Sequence, residues 1–207
     1  MPSKEREYRS MVLRLDEIQD DESYLVEGYA STFETYKLLT IDGVDYNERI
    51  EPDAFKDADL SDVVFRVDHE GRVYARSSAG TLELWTDEHG LGQRADLSKT
   101  QMARELFADI KAGNYPQMSF AFTVAEDHYD KATHTRVIDR IAKVFDVSPV
   151  AFPANPTTQL GVATRDYFDG VIEAEKAERL EREMRDRQRQ KIRILAEVNH
   201  GTERNEH

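Results

Sequence analysis

The chain has 207 residues, enough to bury one sizeable core with room for an appendage and too few for a second large domain. Its 28 Lys and Arg stand against 41 Asp and Glu, a net charge of -13, so the surface repels phosphates and neither nucleic acid nor an anionic membrane is an expected partner. Cysteine is absent, which removes disulfide frameworks, thiolate zinc sites, iron–sulfur ligation and a cysteine nucleophile together.

Residues Met1 to Asp21 are charged throughout and lack an apolar h-region. No stretch approaches the roughly 18 apolar residues of a spanning helix, so the chain is expected to stay in the cytosol of the cell that makes it. Met11 to Leu15 and Tyr24 to Phe33 are rich in β-formers, and the acidic Asp20-Asp21-Glu22 turn between them predicts a hairpin. Tyr36 to Asp53 reads as a loop, and Ala54 to Asp59 as one short helical turn. Strands follow at Val63 to His69, Arg72 to Ser77, Gly80 to Thr86 and Leu91 to Leu97, an expected antiparallel meander in which Gly90-Leu91-Gly92 forms a strand edge.

A helix is predicted from about Lys99 to Ala112, capped by Ser98 or Thr100 and ended by Gly113, with Met102, Leu106 and Ile110 as its buried stripe. Strands resume at Gln117 to Ala125, Thr135 to Val144 and Val147 to Phe152, before Pro153-Ala154-Asn155-Pro156. Many strands with few helices predict a mainly β, α+β fold, a barrel-like or sandwich core.

From Val171 onward the composition turns almost wholly charged. Residues 172–207 balance nine acids with nine bases, so residues 1–171 carry the entire -13. Ala177, Leu180, Met184, Ile192, Leu195 and Val198 give a weak 3/4 spacing, which fits either a docking helix or a solvated single helix. The expected division is 1–165 for the main domain and 166–207 for a charged helical tail.

Without cysteine, nucleophilic catalysis needs a Ser or Thr, a base, and a group that orients the base. Of the six histidines, His200 and His207 sit in the terminal segment, His89 in a turn, and His128 and His134 beside a polar hairpin. His69 shares the alternating face of Val63, Phe65 and Val67 at a strand end, where a base is both held and reached; a hydrogen-bonded structural histidine fits the same pattern. In Met118-Ser119-Phe120-Ala121-Phe122 the large groups take one face and Ser119 with Ala121 the other. This leaves room for a substrate, or for a strand serine chosen for its size.

Asp146 lies inside the apolar run Val144 to Val150, where a buried carboxylate needs a partner. A histidine, an arginine such as Arg140, or exposure at an edge would each answer that need. HExxH, GxGxxG and P-loop signatures are absent, and no cofactor or metal is expected.

The order of Gly28-Tyr29-Ala30-Ser31-Thr32-Phe33, Ile50-Glu51-Pro52-Asp53-Ala54-Phe55, Asp68-His69, Met118-Ser119-Phe120-Ala121-Phe122 and Asp146-Val147-Ser148-Pro149-Val150-Ala151-Phe152-Pro153-Ala154-Asn155-Pro156 resembles the prohead proteases of tailed bacteriophages, the capsid-maturation serine proteases. The resemblance implies a closed or partly open β-barrel related to the herpesvirus assemblins. It implies His69 as base, Ser119 as nucleophile and Asp146 as third member. The family usually has a glutamate at this last position, and often a glycine where Ala121 stands.

The implied activity is endopeptidase cleavage of the scaffolding segment of the major capsid protein, and of the protease itself, inside the immature capsid in the host cytoplasm. High local concentration there, or homodimerisation, would be the switch. The tail would dock through the run Arg185, Arg187, Arg189, Lys191, Arg193 or be lost on self-cleavage. A catalytically silent assembly protein that keeps the barrel and works through its tail is the alternative.

Overall fold

The structure, a computed structural model, describes residues 5–12, 23–152 and 162–203. The chain divides into two compact units, Met1–Ala163 and Thr164–His207.

The first unit is mainly β. Its strands are β1 (Glu7–Val12), β2 (Leu25–Thr32), β3 (Tyr36–Ile41), β4 (Val44–Ile50), β5 (Val64–Val67), β6 (Glu70–Arg76), β7 (Leu82–Thr86), β8 (Gly90–Asp96), β9 (Gln117–Asp130) and β10 (Thr135–Val150), with helix α1 (Gln101–Lys111) before β9. β10 is the spine. Along one edge it pairs antiparallel with β9 from Thr135 to Val150. Along the other it takes β4 in parallel at Thr135 to Ile138, an isolated bridge from Asp59 at Lys143, and β5 in parallel at Asp146 and Val147. β1 adds to β9, β3 to β4 and β6 to β5, completing a seven-stranded sheet.

A second sheet has the order β2-β8-β7. Among the described residues the two sheets do not close into a barrel, which corrects the expectation of a closed barrel. Among these residues the larger sheet ends in the unpaired edges of β1, β3 and β6, and β2, the next strand in the chain after β1, pairs with β8 rather than with any of them.

The same pairing corrects the predicted β1–β2 hairpin; residues 13–22, including the Asp20-Asp21-Glu22 turn, lie outside the described residues. The segment read as a loop is the β3–β4 hairpin. Residues 52–57 make successive turns rather than a helix, with Ala54, Lys56 and Ala58 each donating to the carbonyl three residues back, and Asp59 is already in its bridge to β10. The meander is split, because β6 and β7 belong to different sheets.

Gly90 opens β8, the central strand of the smaller sheet, and Gly92 follows on the same strand. A Cβ at Gly92 would fall 2.2 Å from the Trp85 ring, so only glycine admits that indole. In α1 the Thr100 side chain caps Ala103 N–H, and the buried stripe is Ala103, Leu106, Phe107 and Ile110. Met102 is exposed instead.

Phe33, Phe55, Phe120 and Phe122 form a chain of ring contacts, with centroids 6.3, 6.2 and 4.4 Å apart in turn. These rings join three of the recognised sequence segments through the core.

A buried ionic cluster ties β1 to β4 and β10. Arg9 bonds both Glu48 and Glu7, and Arg136 bonds Glu7 at 2.7 Å and Glu48 at 3.2 Å. Burial works to lower the Arg9 pKa, but the Glu48 and Glu7 carboxylates outweigh it and hold the guanidinium well above its ordinary value.

The second unit is built on α2 (Val162–Glu203). Leu180, Met184, Ile192 and Ile194 are exposed on it, and Glu181 and Arg185 form an i,i+4 pair at 3.8 Å. The side chains of Leu195 and Val198, and the last four residues, lie outside the described set. No helix of the described residues is long and apolar enough to cross a membrane.

Candidate active site

β5 and β6 are joined by a two-residue turn, with Val67 paired to Glu70 and Asp68 and His69 between them. Both turn residues have positive φ, 48° and 60°, the sign a type I′ hairpin turn requires at its two central positions. A non-glycine residue held there stores local strain. The turn is bound to the end of β10. Asp68 N–H donates to the Pro149 carbonyl at 3.2 Å, and Ala151 N–H donates to Asp68 Oδ1 at 3.2 Å.

This tether carries His69 over the β9–β10 pair. Its Nε2 lies 2.6 Å from Ser119 Oγ on β9, and its Nδ1 lies 2.6 Å from Asp146 Oδ1 on β10. A carboxylate only accepts, so Nδ1 carries the proton and donates to Asp146, and the Nε2 lone pair receives the Ser119 hydroxyl proton. A proton leaving Ser119 therefore has a nitrogen to go to, and the cation that forms has an anion behind it.

The structure thus brings together all three residues singled out in the sequence. Asp146 is 2% exposed and sits between β9 and β5, so neither edge exposure nor Arg140 satisfies it; Arg140 instead meets Glu126 on the surface. The Ser119 face is not open as expected: Ser119 and Ala121 are fully buried. His69, at 16% exposure, is the member that reaches a groove of about 560 Å³ lined by Tyr8, Ser10, Glu70, Val150 and Phe152 among others.

The caudovirus prohead serine protease family matches residues 9–170. The chain belongs to this family. It is 30% identical over 156 residues to the prohead protease of Enterobacteria phage HK97, an alignment that covers 73% of this chain and 64% of that protein. The chain therefore spans a little under two thirds of that relative's length. No solved structure matches it.

In this member of the prohead serine protease family several site residues escape sequence reasoning. Tyr8 comes from the first strand, yet its ring meets the His69 ring edge-on at 4.6 Å between centroids. Ser10 stands directly opposite Ser119 across β1 and β9. Ser148 donates to Asp146 Oδ1 at 2.8 Å. Tyr8 and Ser10 lie far from the other members in sequence and carry no local signal, because their place comes from strand pairing. Pro153-Ala154-Asn155-Pro156, part of the most specific sequence segment, falls outside the described residues.

The other described histidines stand elsewhere. His128 pairs with Asp139 at 2.7 Å on the surface, and that hydrogen bond raises its pKa above the usual histidine value. His134 meets Tyr129 at 3.0 Å, and His89 lies beside Tyr29. Among the described residues no group of three or more His, Asp and Glu side chains is placed to hold a metal ion.

Proposed function

We propose that this chain is a serine endopeptidase in which Ser119 attacks the scissile carbonyl, His69 takes and returns the proton, and Asp146 holds the imidazole tautomer and stabilises the imidazolium. The observation that carries this reading is the continuous hydrogen-bond chain Ser119–His69–Asp146, with both links at 2.6 Å. Membership of a serine peptidase family supports it. The substrates are the scaffolding segment of the phage major capsid protein and the protease itself, cut during maturation inside the prohead. Backbone N–H groups serve as the oxyanion donors. The tail beyond residue 165 docks the enzyme into the assembling shell or is removed by self-cleavage.

A second reading, a silent assembly protein on the same fold, draws on one observation: Ser119 is fully buried. In the peptidase reading that burial describes a resting site, and the groove beside His69 admits the peptide once Ser119 is uncovered. Intact-mass analysis decides between them. Wild type and Ser119→Ala are incubated alone and with scaffold-bearing capsid protein. Discrete fragments from wild type alone support the peptidase; two folded chains that bind and leave every mass unchanged support the silent role.

A further inference from the structure

Ser148 is fully buried on β10, directly opposite Ser119 on β9. Its Oγ lies 2.8 Å from Asp146 Oδ1, the same oxygen that stands 2.6 Å from His69 Nδ1. Since a carboxylate oxygen only accepts, the Ser148 hydroxyl is a donor, and one oxygen holds both a ring N–H and a hydroxyl. The carboxylate torsion of aspartate is intrinsically broad, so an Asp side chain held by the imidazole alone is free to rotate about it. A second donor on the same oxygen removes that freedom.

We propose that Ser148 is a positioning residue, whose hydroxyl pins Asp146 Oδ1 so that His69 keeps Nδ1 on the carboxylate and Nε2 aimed at Ser119. Its role in turnover rests on the peptidase reading above; its effect on the His69–Asp146 hydrogen bond does not. Two further features make Ser148 specific for this task. Asp146 and Ser148 are two residues apart and share the Ser119 face of the sheet, so the hydroxyl reaches the carboxylate along one strand without a loop between them. Burial also raises the cost of leaving the carboxylate short of a donor.

The test uses the full chain labelled with ¹⁵N-histidine, and reads the low-field proton on His69 Nδ1 by NMR in wild type, Ser148→Ala and Ser148→Thr. Denaturant unfolding of each variant checks the fold. Ser148→Ala is expected to displace or exchange-broaden that resonance and to lower kcat about 10-fold at unchanged KM. Ser148→Thr, which keeps the hydroxyl, is expected to restore both.

An Ala variant with the wild-type resonance and wild-type kcat overturns the proposal, as does a folded Thr variant that behaves like Ala. If Thr does not fold, the Ala resonance decides alone. If wild type itself cleaves nothing, the resonance still decides the role of Ser148 while the peptidase reading fails separately.

Discussion

Val144 and Asp146 lie two residues apart on β10 and yet face opposite sides of the sheet. Regular alternation would turn them the same way. A register shift between them, with Phe145 as the extra residue, sets Val144 opposite Phe122 and Asp146 opposite Ala121. Val144 then joins the core, and Asp146 joins the face of Ser119. An amide at this position keeps the shape but can hold His69 in the wrong tautomer. If the proposed peptidase reading holds, Asp146→Asn is therefore expected to leave stability nearly unchanged and to lower kcat by about 10⁴-fold. Cleavage of scaffold-bearing capsid protein measures this, and activity within tenfold of wild type would remove Asp146 from the mechanism.

The positive φ angles at Asp68 and His69 make the turn sensitive to side-chain type. Asp68→Val puts a β-branched residue in the left-handed region and deletes the acceptor of Ala151 N–H, a combined cost of about 2–3 kcal/mol. Asp68→Asn tolerates the conformation and keeps an acceptor, so it should cost under about 1 kcal/mol. Urea unfolding of the two variants gives the comparison; equal stability of both would show that the turn is not under this constraint.

Glu48 faces Arg9 and Arg136 inside the β1–β4–β10 cluster and is fully buried. Removing one member of a buried ionic cluster leaves the others uncompensated, so Glu48→Ala is expected to destabilise by about 3–5 kcal/mol. Because Tyr8 and Ser10 lie on the strand that this cluster ties down, proteolysis of the N-terminal strand should accelerate in the same variant. A shift of less than about 1 kcal/mol in chemical denaturation would contradict the assignment.

Asp59 is held down to about 2 by its hydrogen bonds from Lys143 and Ser61. The folded-state value lies below the unfolded one, so this contribution to stability is complete above about pH 4 and is lost as the pH falls toward 2. Lys143→Met should move the Asp59 titration upward, toward the ordinary aspartate value. Carboxyl ¹³C titration follows it directly, and an unmoved midpoint would mean that Lys143 is not the cause.

What the sequence determined alone was set by composition and by short-range pattern. The absence of cysteine and the net charge of -13 limited the chemistry, and the Thr100 and Gly113 punctuation bounded α1. The order of motifs identified the family, because those residues must meet whatever route the chain takes between them. His69, Ser119 and Asp146 were legible as candidates because each broke a local rule: a histidine ending an apolar strand, a serine on a small-residue face, an acid inside an apolar run.

The tertiary structure decided which strands pair, and with that the sheet layout and the wall of the site. Hydrogen-bonded edges carry no residue code, so β1 and β2, adjacent in sequence, went to different sheets, and β4 and β5 came to share one edge of β10. The bulge at Phe145, the contact of Tyr8 with His69 and the donation of Ser148 to Asp146 follow from that pairing. Each depends on distances across strands far apart in the chain, where neither periodicity nor propensity carries information.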